Sequence, residues 1–218
     1  MLFRKKIWKK MSQDECIIKL ENVSKDLKKK RVLSDISASF YKGKVYGFIG
    51  SNGSGKTMLL RAIAGLLYIN KGTVDRIDPA PTMGVIIENP GFLISYTGYE
   101  NLQMLAAIRN IIGEKEIQTT LLQVGLDPKD RRKVKEYSLG MKQRLAVAQA
   151  IMENPDVLIL DEPFRGLDVE GVKTIRTLLE AYNRAGGTIF LSSHDPEDIS
   201  LLCHHVYMMQ EGKMTQMK

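Results

Sequence analysis

The first clear pattern in the chain is an alternation of hydrophobic and polar residues over residues 16–23, which are rich in β-branched side chains. A period of two predicts a β-strand with one buried face. Residues 32–40 form a second strand-like run, and the charged run 25–31 between the two predicts a solvated hairpin tip. The continuous apolar run Val45–Ile49 then predicts a buried strand. The opening of the chain therefore predicts an antiparallel β flap beside a core strand.

Short apolar runs later in the chain predict the rest of this core. Residues 83–87, 157–160 and 188–191 have the length and composition of buried strands. Together with the helical patterns between them, they indicate an α/β fold with a mainly parallel sheet. The other predicted elements are a helix at 58–67, a turn into a short strand at 71–74, helices at 169–184 and 197–203, and a terminal hairpin at 206–209 and 213–216.

Residues 97–154 change in character, because three successive segments with apolar faces predict helices and no strand. These segments are residues 100–112, 114–124 and 139–152. An all-helical insertion in an α/β chain is a candidate subdomain. We expect a single domain over residues 1–218, divided into a basic N-terminal arm (1–12), a nucleotide-binding core with the flap (13–88 and 155–218) and a helical subdomain (89–154).

Composition narrows the class of protein only slightly. The net charge of +7 and pI of about 9.3 permit a nucleotide, a nucleic acid or an anionic membrane surface as partner. No apolar run approaches the ~18 residues of a membrane span, and two distant cysteines indicate a reduced, cytosolic protein. The basic residues 1–11 could form a membrane-surface arm, or a disordered tail or expression remnant. We favour the tail, because so short a segment seldom holds a helix alone.

The stretch after Val45–Ile49 fits the pattern G-x-x-x-x-G-K-[ST] at every fixed position, with an apolar, glycine-free run after it. Glycines at this spacing let backbone N–H groups point at a polyphosphate, and the following helix directs its positive end at the same anion. Lys56 is expected to reach the β- and γ-phosphates, and Thr57 to offer a hydroxyl to Mg²⁺. These features predict a P-loop NTPase core. The predicted nucleotide-binding residues of this stretch are Gly50, Ser51, Asn52, Gly53, Ser54, Gly55, Lys56, Thr57 and Met58.

Two acidic residues, Asp161 and Glu162, follow the apolar run 157–160, and Pro163 ends the strand. Open α/β sheets bind ligands at the carboxyl ends of their strands, so these acids are expected to face the phosphate loop. Asp161 is the expected outer ligand of Mg²⁺, on the side opposite Thr57. Glu162 can orient or deprotonate a water for attack on a γ-phosphate.

Taken together, these motifs resemble the ATP-binding cassette ATPases. Tyr137-Ser-Leu-Gly-Met-Lys-Gln-Arg144 resembles the signature segment of that family, residues 164–168 resemble the loop after its catalytic acid, and His194 resembles its switch histidine. The five motifs occur in the family's order over nearly the whole chain. The resemblance implies ATP and Mg²⁺ as ligands, ATP hydrolysis as the activity, and Glu162 and His194 as catalytic residues.

The resemblance also implies that each ATP site is shared between two chains. Ser138 and the N–H of Gly140, at the start of a predicted helix, would hold the γ-phosphate bound to the opposite subunit, and Asp168 would contact that subunit. The implied assembly is a homo- or heterodimer of cassettes around two ATP molecules. Considered alone, a serine such as Ser138 is more often a plain helix cap, and a histidine after a strand is more often structural. The place of His194 after Ser192-Ser193, on the next buried strand, favours the functional role for this histidine.

Three positions depart from the common family pattern. Leu27 stands where the family usually has an aromatic side chain that stacks on adenine, so the stacking would be replaced by weaker aliphatic contact or by another residue such as Tyr41. Glu88 stands where a glutamine usually contacts Mg²⁺ and water; it can still bind the metal, but it adds negative charge beside the phosphates. The signature segment has Leu139 and Met141 in place of glycine and glutamine.

Within the family, residues 87–92 and 137–144 are similar to ATPases of bacterial peptide-antibiotic export and immunity systems, of the bacitracin and lantibiotic type. The resemblance implies a separate transmembrane permease as partner, a peptide antibiotic as possible cargo, and a position in the cytoplasm on the inner face of the cell membrane. No nucleic acid partner is expected. Two alternatives stay open: a cassette ATPase acting on nucleic acid or the ribosome, and a nucleotide sensor with little turnover.

Overall fold

The computed structural model describes residues 15–28, 30–77, 79–88 and 91–218. The basic arm predicted over residues 1–12 lies outside these ranges. Nine strands and six α-helices are described within them. The strands are β1 (Cys16–Leu27), β2 (Lys30–Tyr41), β3 (Val45–Ile49), β4 (Lys71–Arg76), β5 (Met83–Ile86), β6 (Val157–Asp161), β7 (Thr188–Ser192), β8 (His205–Gln210) and β9 (Lys213–Gln216). The helices are α1 (Lys56–Ala64), α2 (Gly98–Arg109), α3 (Glu114–Gln123), α4 (Leu139–Ile151), α5 (Val169–Arg184) and α6 (Pro196–Leu202).

The main sheet has six strands in the order β5-β6-β7-β3-β8-β9. All its neighbours pair in parallel except β8 and β9, which form the antiparallel terminal hairpin. The predicted mainly parallel sheet is therefore confirmed. Because parallel strands all point the same way, the loops after β3, β5, β6 and β7 lie at one edge of the sheet.

The predicted flap is a three-stranded antiparallel sheet in the order β2-β1-β4. The sequence did not assign the third strand, β4, to it. The charged run 25–31 was predicted as a hairpin tip, but the strands continue through most of it, since Asp26 pairs with Arg31 and Leu27 with Lys30. A cross-strand ion pair of 2.7 Å between Arg31 Nε and Asp26 Oδ1 makes this polar stretch compatible with a strand.

Alternate residues of β3 face different layers of the molecule, as the period of a strand requires. Tyr46 and Phe48 point toward the flap, where the ring of Phe40 meets both edge-on, at centroid distances of 4.9 and 6.3 Å. On the other face, a side chain at Gly47 would collide with Cys203 and Ile199, so this glycine lets α6 pack directly on the sheet.

The three helices α2, α3 and α4 pack together through buried side chains, and α4 also packs on β5. The helices α2 and α4 begin at capping side chains. Thr97 and Glu100 form a reciprocal capping box at α2, and Ser138 Oγ accepts a hydrogen bond of 3.2 Å from Met141 N at α4. A side chain at Gly84 would overlap the carbonyl of Ala150, so close packing of α4 on β5 requires glycine there.

Candidate functional site

The loops at the carboxyl edge of the main sheet converge on one cleft of about 610 Å³. Ser192, the last residue of β7, pairs with Phe48 of β3 on one side and with Asp161 of β6 on the other. This register brings the loop after β3 next to the acids that end β6. The residues that line the cleft are Lys30, Val32, Asn52, Gly53, Gly55, Lys56, Thr57, Met58, Glu88, Gln143, Asp161, Glu162 and Arg165.

The phosphate loop runs from the end of β3 into α1, which begins at Lys56, two residues earlier than predicted. Gly50 and Gly55 have φ values of +152° and +111°, which side chains disfavour, and a Cβ on Gly55 would lie 2.7 Å from the carbonyl of Val32. Lys56 is only 6% exposed, and its Nζ donates to the carbonyls of Gly50 at 2.7 Å and Ser51 at 3.3 Å. The loop therefore wraps around its own lysine.

Asp161 is held by two hydroxyl groups that come from distant parts of the sequence. Thr57 Oγ1 donates to Asp161 Oδ2 at 2.7 Å, and Ser192 Oγ donates to Asp161 Oδ1 at 2.5 Å. Ser192 Oγ also accepts a hydrogen bond of 3.1 Å from the backbone N–H of Glu162. One buried serine thus fixes both acids at the end of β6.

Glu162 and His194 contact each other directly, with 2.7 Å between Glu162 Oε2 and His194 Nδ1. Glu162 has a φ of +52°, an uncommon conformation for a residue other than glycine, which is often found at functional sites. Gln143 of α4 donates to the carbonyls of Glu162 and Pro163 at 3.3 and 3.1 Å. The helical segment therefore contacts the backbone at the predicted catalytic acid.

Glu88 lines the cleft, and its carboxylate is engaged by a cation that the sequence did not indicate. Arg61 Nη2 lies 2.8 Å from Glu88 Oε1. Arg61 is on α1, one helical turn after Thr57, so both side chains lie on the same face of the helix.

The oxygen atoms around Asp161 fit a hard divalent cation. Thr57 supplies a hydroxyl and Asp161 a carboxylate, and these are the ligand types that Mg²⁺ prefers when phosphates complete its coordination. In the described ranges no group of three or more His, Cys, Asp or Glu residues is placed to hold a metal by itself.

Three further predicted residues, Ser138, Gly140 and Asp168, do not line this cleft. They border a second cavity of about 620 Å³, together with Arg144 and other residues. Asp168 caps α5 by accepting a hydrogen bond of 2.9 Å from Gly171 N, and Arg144 Nη2 lies 3.1 Å from the same carboxylate. The Gly171 N–H and the Arg144 guanidinium lower the pKa of Asp168.

Neither side chain considered for adenine lies in the wall of the cleft. Leu27 is 42% exposed at the end of β1 and does not line it. Tyr41 lies at the opposite end of β2 from Val32, and its N–H donates to the hydroxyl of Tyr46 at 2.5 Å, near the start of β3. The suggestion that Tyr41 replaces the missing aromatic residue is therefore wrong. Lys30 and Val32 form this side of the cleft, and its described lining residues include no aromatic ring.

Sequence reasoning missed several residues that build the cleft: Lys30, Val32, Arg61, Gln143, Arg165 and Ser192. A partial signal existed for three of them, because Ser192 ends a strand neighbouring that of Asp161, Gln143 belongs to the signature segment and Arg165 to the loop 164–168. Lys30 and Val32 come from the opening hairpin and Arg61 from the middle of a helix, where no local pattern indicates contact with a ligand.

Comparison with known proteins identifies the family. Residues 33–165 match the family model described as ABC transporter. The chain belongs to this family. As a member of the ABC transporter family it is an ATP-binding subunit and an ATPase, which agrees with the fold and with the motif order.

Relatives of known sequence cover almost the whole chain. An uncharacterised ABC transporter ATP-binding protein of Bacillus subtilis, YybJ, is 41% identical over 91% of this chain and 94% of its own length. The bacitracin transport ATP-binding protein BcrA of Enterococcus faecalis is 39% identical, over 93% of this chain and 69% of its own. The lantibiotic transport ATP-binding protein SrtF of Streptococcus pyogenes is 34% identical, over 91% of this chain and 89% of its own.

Solved structures of ABC transporter cassettes share the fold. A dimeric structure of the cassette MJ0796 superposes with a TM-score of 0.83 at 22% identity, over 93% of this chain and 99% of that one. A second dimeric structure of MJ0796, in a post-hydrolysis state bound to ADP and phosphate, gives a TM-score of 0.84. Among residues 15–28, 30–77, 79–88 and 91–218, no helix has both the length and the apolar character needed to cross a membrane.

Proposed function

We propose that this chain hydrolyses Mg²⁺-bound ATP at a site shared by two cassettes, and that hydrolysis powers transport through a separate membrane subunit. One observation carries the proposal. The phosphate loop, Asp161 and Glu162 line one cleft, with His194 in contact with Glu162, whereas Ser138 and Gly140 border another cavity. This separation supports a composite site to which each chain contributes two different halves.

The loop from Gly50 to Met58 binds the nucleotide. Its backbone N–H groups and the N-terminus of α1 attract the phosphates, and Lys56 exchanges its bonds to loop carbonyls for bonds to the β- and γ-phosphates. Thr57 and Asp161 hold Mg²⁺, with Glu88 as a further candidate ligand. When bound, the metal neutralises charge on the phosphate oxygens.

Hydrolysis is assigned to Glu162 and His194. Glu162 polarises the attacking water, and its backbone is fixed by Ser192 and Gln143. His194 contacts the Glu162 carboxylate through Nδ1 and orients it, and its other ring nitrogen steadies the γ-phosphate. Because each catalytic side chain has a partner already in contact, little reorganisation is needed when ATP arrives.

Dimerisation completes the site. Ser138, Gly140 and the N-terminus of α4 face the nucleotide of the partner chain, and Asp168 contacts that chain beside them. Loss of the γ-phosphate removes the anion that links the two subunits, so hydrolysis loosens the dimer. The partner cassette is a second copy of this chain or a related one.

The membrane subunit docks beside α2. A groove of about 210 Å³ lies between the segment after β5 and this helix, and Leu93 and Met104 in its lining are 51% and 38% exposed. Exposed apolar side chains next to a groove suit a protein interface. Since relatives are named for bacitracin and lantibiotic transport, we assign a peptide antibiotic as cargo and the inner face of the cell membrane as the location.

The substitution Glu162→Gln tests this function. The amide cannot act as a base but keeps the side-chain shape, so phosphate release should fall by about a hundredfold or more and ATP should trap a dimer on size-exclusion chromatography. Glu197→Gln changes an exposed glutamate of α6; it is the matched control and should leave both measurements unchanged. Full turnover in Glu162→Gln contradicts the assignment, and failure to co-purify with a polytopic membrane protein contradicts transport.

A further inference from the structure

Three carboxylates line the phosphate cleft, and each has a different partner. Asp161 accepts hydrogen bonds from two hydroxyls, and Glu162 contacts His194. Within the described part of the chain, Glu88 contacts neither a hydroxyl nor a histidine but forms an ion pair with Arg61. The mechanism above uses the partners of the first two acids and leaves the Arg61–Glu88 pair without a role.

The position of Glu88 follows from the sheet order. It lies two residues beyond β5, and β5 pairs with β6 so that Ile86 is opposite Leu160. Glu88 therefore leaves the sheet beside Asp161. Its φ of +62° is the left-handed conformation, and its side chain lines the same cleft as Lys56 and Thr57.

The position of Arg61 follows from the helix. Residues four apart in a helix lie on one face, so the side chain of Arg61 is directly adjacent to that of Thr57 along α1. It spans the gap from α1 to the loop after β5 and ends 2.8 Å from the Glu88 carboxylate. The Arg61 side chain is 31% exposed and that of Glu88 62%, so the pair sits at the solvent edge of the cleft.

Electrostatics gives the pair a consequence for ligand binding. An uncompensated carboxylate beside the phosphate loop repels a nucleoside triphosphate, and the repulsion grows with the charge of the ligand. A guanidinium in contact with that carboxylate cancels most of its field at the phosphates. The stability of the protein itself gains little, because exposed ion pairs contribute little to folding.

We propose that Arg61 is a positioning residue that neutralises Glu88 and holds its carboxylate against the wall of the cleft, so that the site accepts a triphosphate despite an acid in this loop. The inference rests on the proposed nucleotide site. Arg61 acts through Glu88 and not on the nucleotide. The ion pair uses Oε1 of Glu88, so Oε2 is the atom through which this residue would reach a metal.

A double-mutant cycle tests the proposal by measuring the dissociation constants of fluorescent ATP and ADP analogues in the presence of Mg²⁺. Arg61→Gln should weaken binding of the ATP analogue by about threefold to tenfold, and that of the ADP analogue less. In a Glu88→Gln background the same Arg61 substitution should weaken binding of the ATP analogue by less than about twofold, because no carboxylate remains to be neutralised. High salt should shrink the penalty of Arg61→Gln.

The control is Arg109→Gln, which breaks an ion pair of the same kind, 2.7 Å from Glu153, outside both cavities. It should leave nucleotide binding unchanged. An unchanged affinity in Arg61→Gln overturns the proposal, and so does a penalty that persists in the Glu88→Gln background, since Arg61 would then contact the nucleotide itself. If the wild-type chain binds the analogues but never hydrolyses ATP, the proposed function is contradicted. The double-mutant cycle can still be interpreted in that case, because it measures binding and not hydrolysis.

Discussion

Ser192 shows how much of the site depends on one small side chain. It is fully buried at the end of β7, donates to Asp161 and accepts from the N–H of Glu162. The sequence marked both acids as candidates because they follow an apolar strand. It did not mark the serine that orients them, because the contact arises only when β6 and β7 are neighbours in the sheet.

The substitution Ser192→Ala should therefore affect stability and metal use together. Removing a buried partner leaves Asp161 and the Glu162 N–H less satisfied, which costs about 1–3 kcal/mol of unfolding free energy. Asp161 loses its orientation toward Thr57, so half-maximal ATPase activity should need more Mg²⁺. Urea unfolding and a Mg²⁺ titration of phosphate release measure the two effects.

Ser193→Ala is the comparison for that experiment. Ser193 is also buried, but its Oγ accepts from the N–H of Asp195 and makes no contact with Asp161. The substitution Ser193→Ala should lower the free energy of unfolding. The Mg²⁺ concentration for half-maximal ATPase activity, the Mg²⁺ midpoint, should stay at its wild-type value. Equal Mg²⁺ midpoints for Ser192→Ala and the wild type contradict the role assigned to Ser192.

At the scale of elements, local patterning located the strands and helices well and their ends less well. The helix predicted over 169–184 is α5 as observed, because Asp168 caps it and Gly186 and Gly187 follow it. The hairpin between β1 and β2 turns inside the predicted run 25–31, between Leu27 and Lys30, but the strands extend further into this run than predicted. A charged run indicates only that one side is solvated, and a paired strand at the end of the flap is solvated as well. The assignment of β4 to the flap could not be read locally, since its register with β1 is a long-range property.

His204 links two elements of the main sheet through a contact that depends on pH. Its Nδ1 accepts a hydrogen bond of 3.0 Å from the N–H of Val45, at the start of β3, so the ring must be unprotonated at that nitrogen. Burial, with the nearby Lys44, His205 and Lys218, lowers the pKa of His204 below its ordinary value.

This pKa shift gives the sign of a pH effect on stability. Because the pKa of His204 is lower in the folded state, the unfolded chain binds more protons than the folded chain near pH 6. The stabilisation that is present above about pH 6.5 is therefore lost as the pH falls through the folded pKa of His204. The melting temperature should be lower at pH 5.5 than at pH 7.5. His204→Gln should reduce this difference, and a variant with the full wild-type pH dependence would show that other groups cause it.

At the scale of the whole molecule, Ser138 and Lys56 belong to different cavities, so two defective chains can form one intact site. Lys56→Ala disables the phosphate loop. Ser138→Asp keeps a capping side chain on α4. In the proposed shared site it would set a negative charge against the γ-phosphate bound by the partner chain. In a mixed dimer, one composite site carries both defects and the other carries neither.

An equimolar mixture of these two inactive variants should therefore regain phosphate release, up to about a quarter of wild type, because half of randomly paired dimers are mixed and each has one good site of two. Ser138→Asn, which keeps the cap without the charge, should lose much less activity than Ser138→Asp. A mixture that stays as inactive as its components argues against a site shared between two copies of this chain.

The sequence by itself determined the elements of the core, the phosphate loop and the order of its motifs. These properties are local: a period of two or 3.6, or a spacing within one loop, is complete within a few residues. It therefore placed Gly50–Thr57 and the pair Asp161 and Glu162 correctly at the carboxyl edge of the sheet.

Only the tertiary structure decided which side chains meet. The bond between Thr57 and Asp161 joins residues 104 positions apart, and the pair of Arg61 with Glu88 requires both the turn of α1 and the place of β5 beside β6. The tertiary structure also places Tyr41 far from the cleft. Tyr41 ends β2, whose other end borders the cleft, and the two ends of this strand of 12 residues are about 35 Å apart. Such contacts depend on strand order and register, which no local pattern encodes.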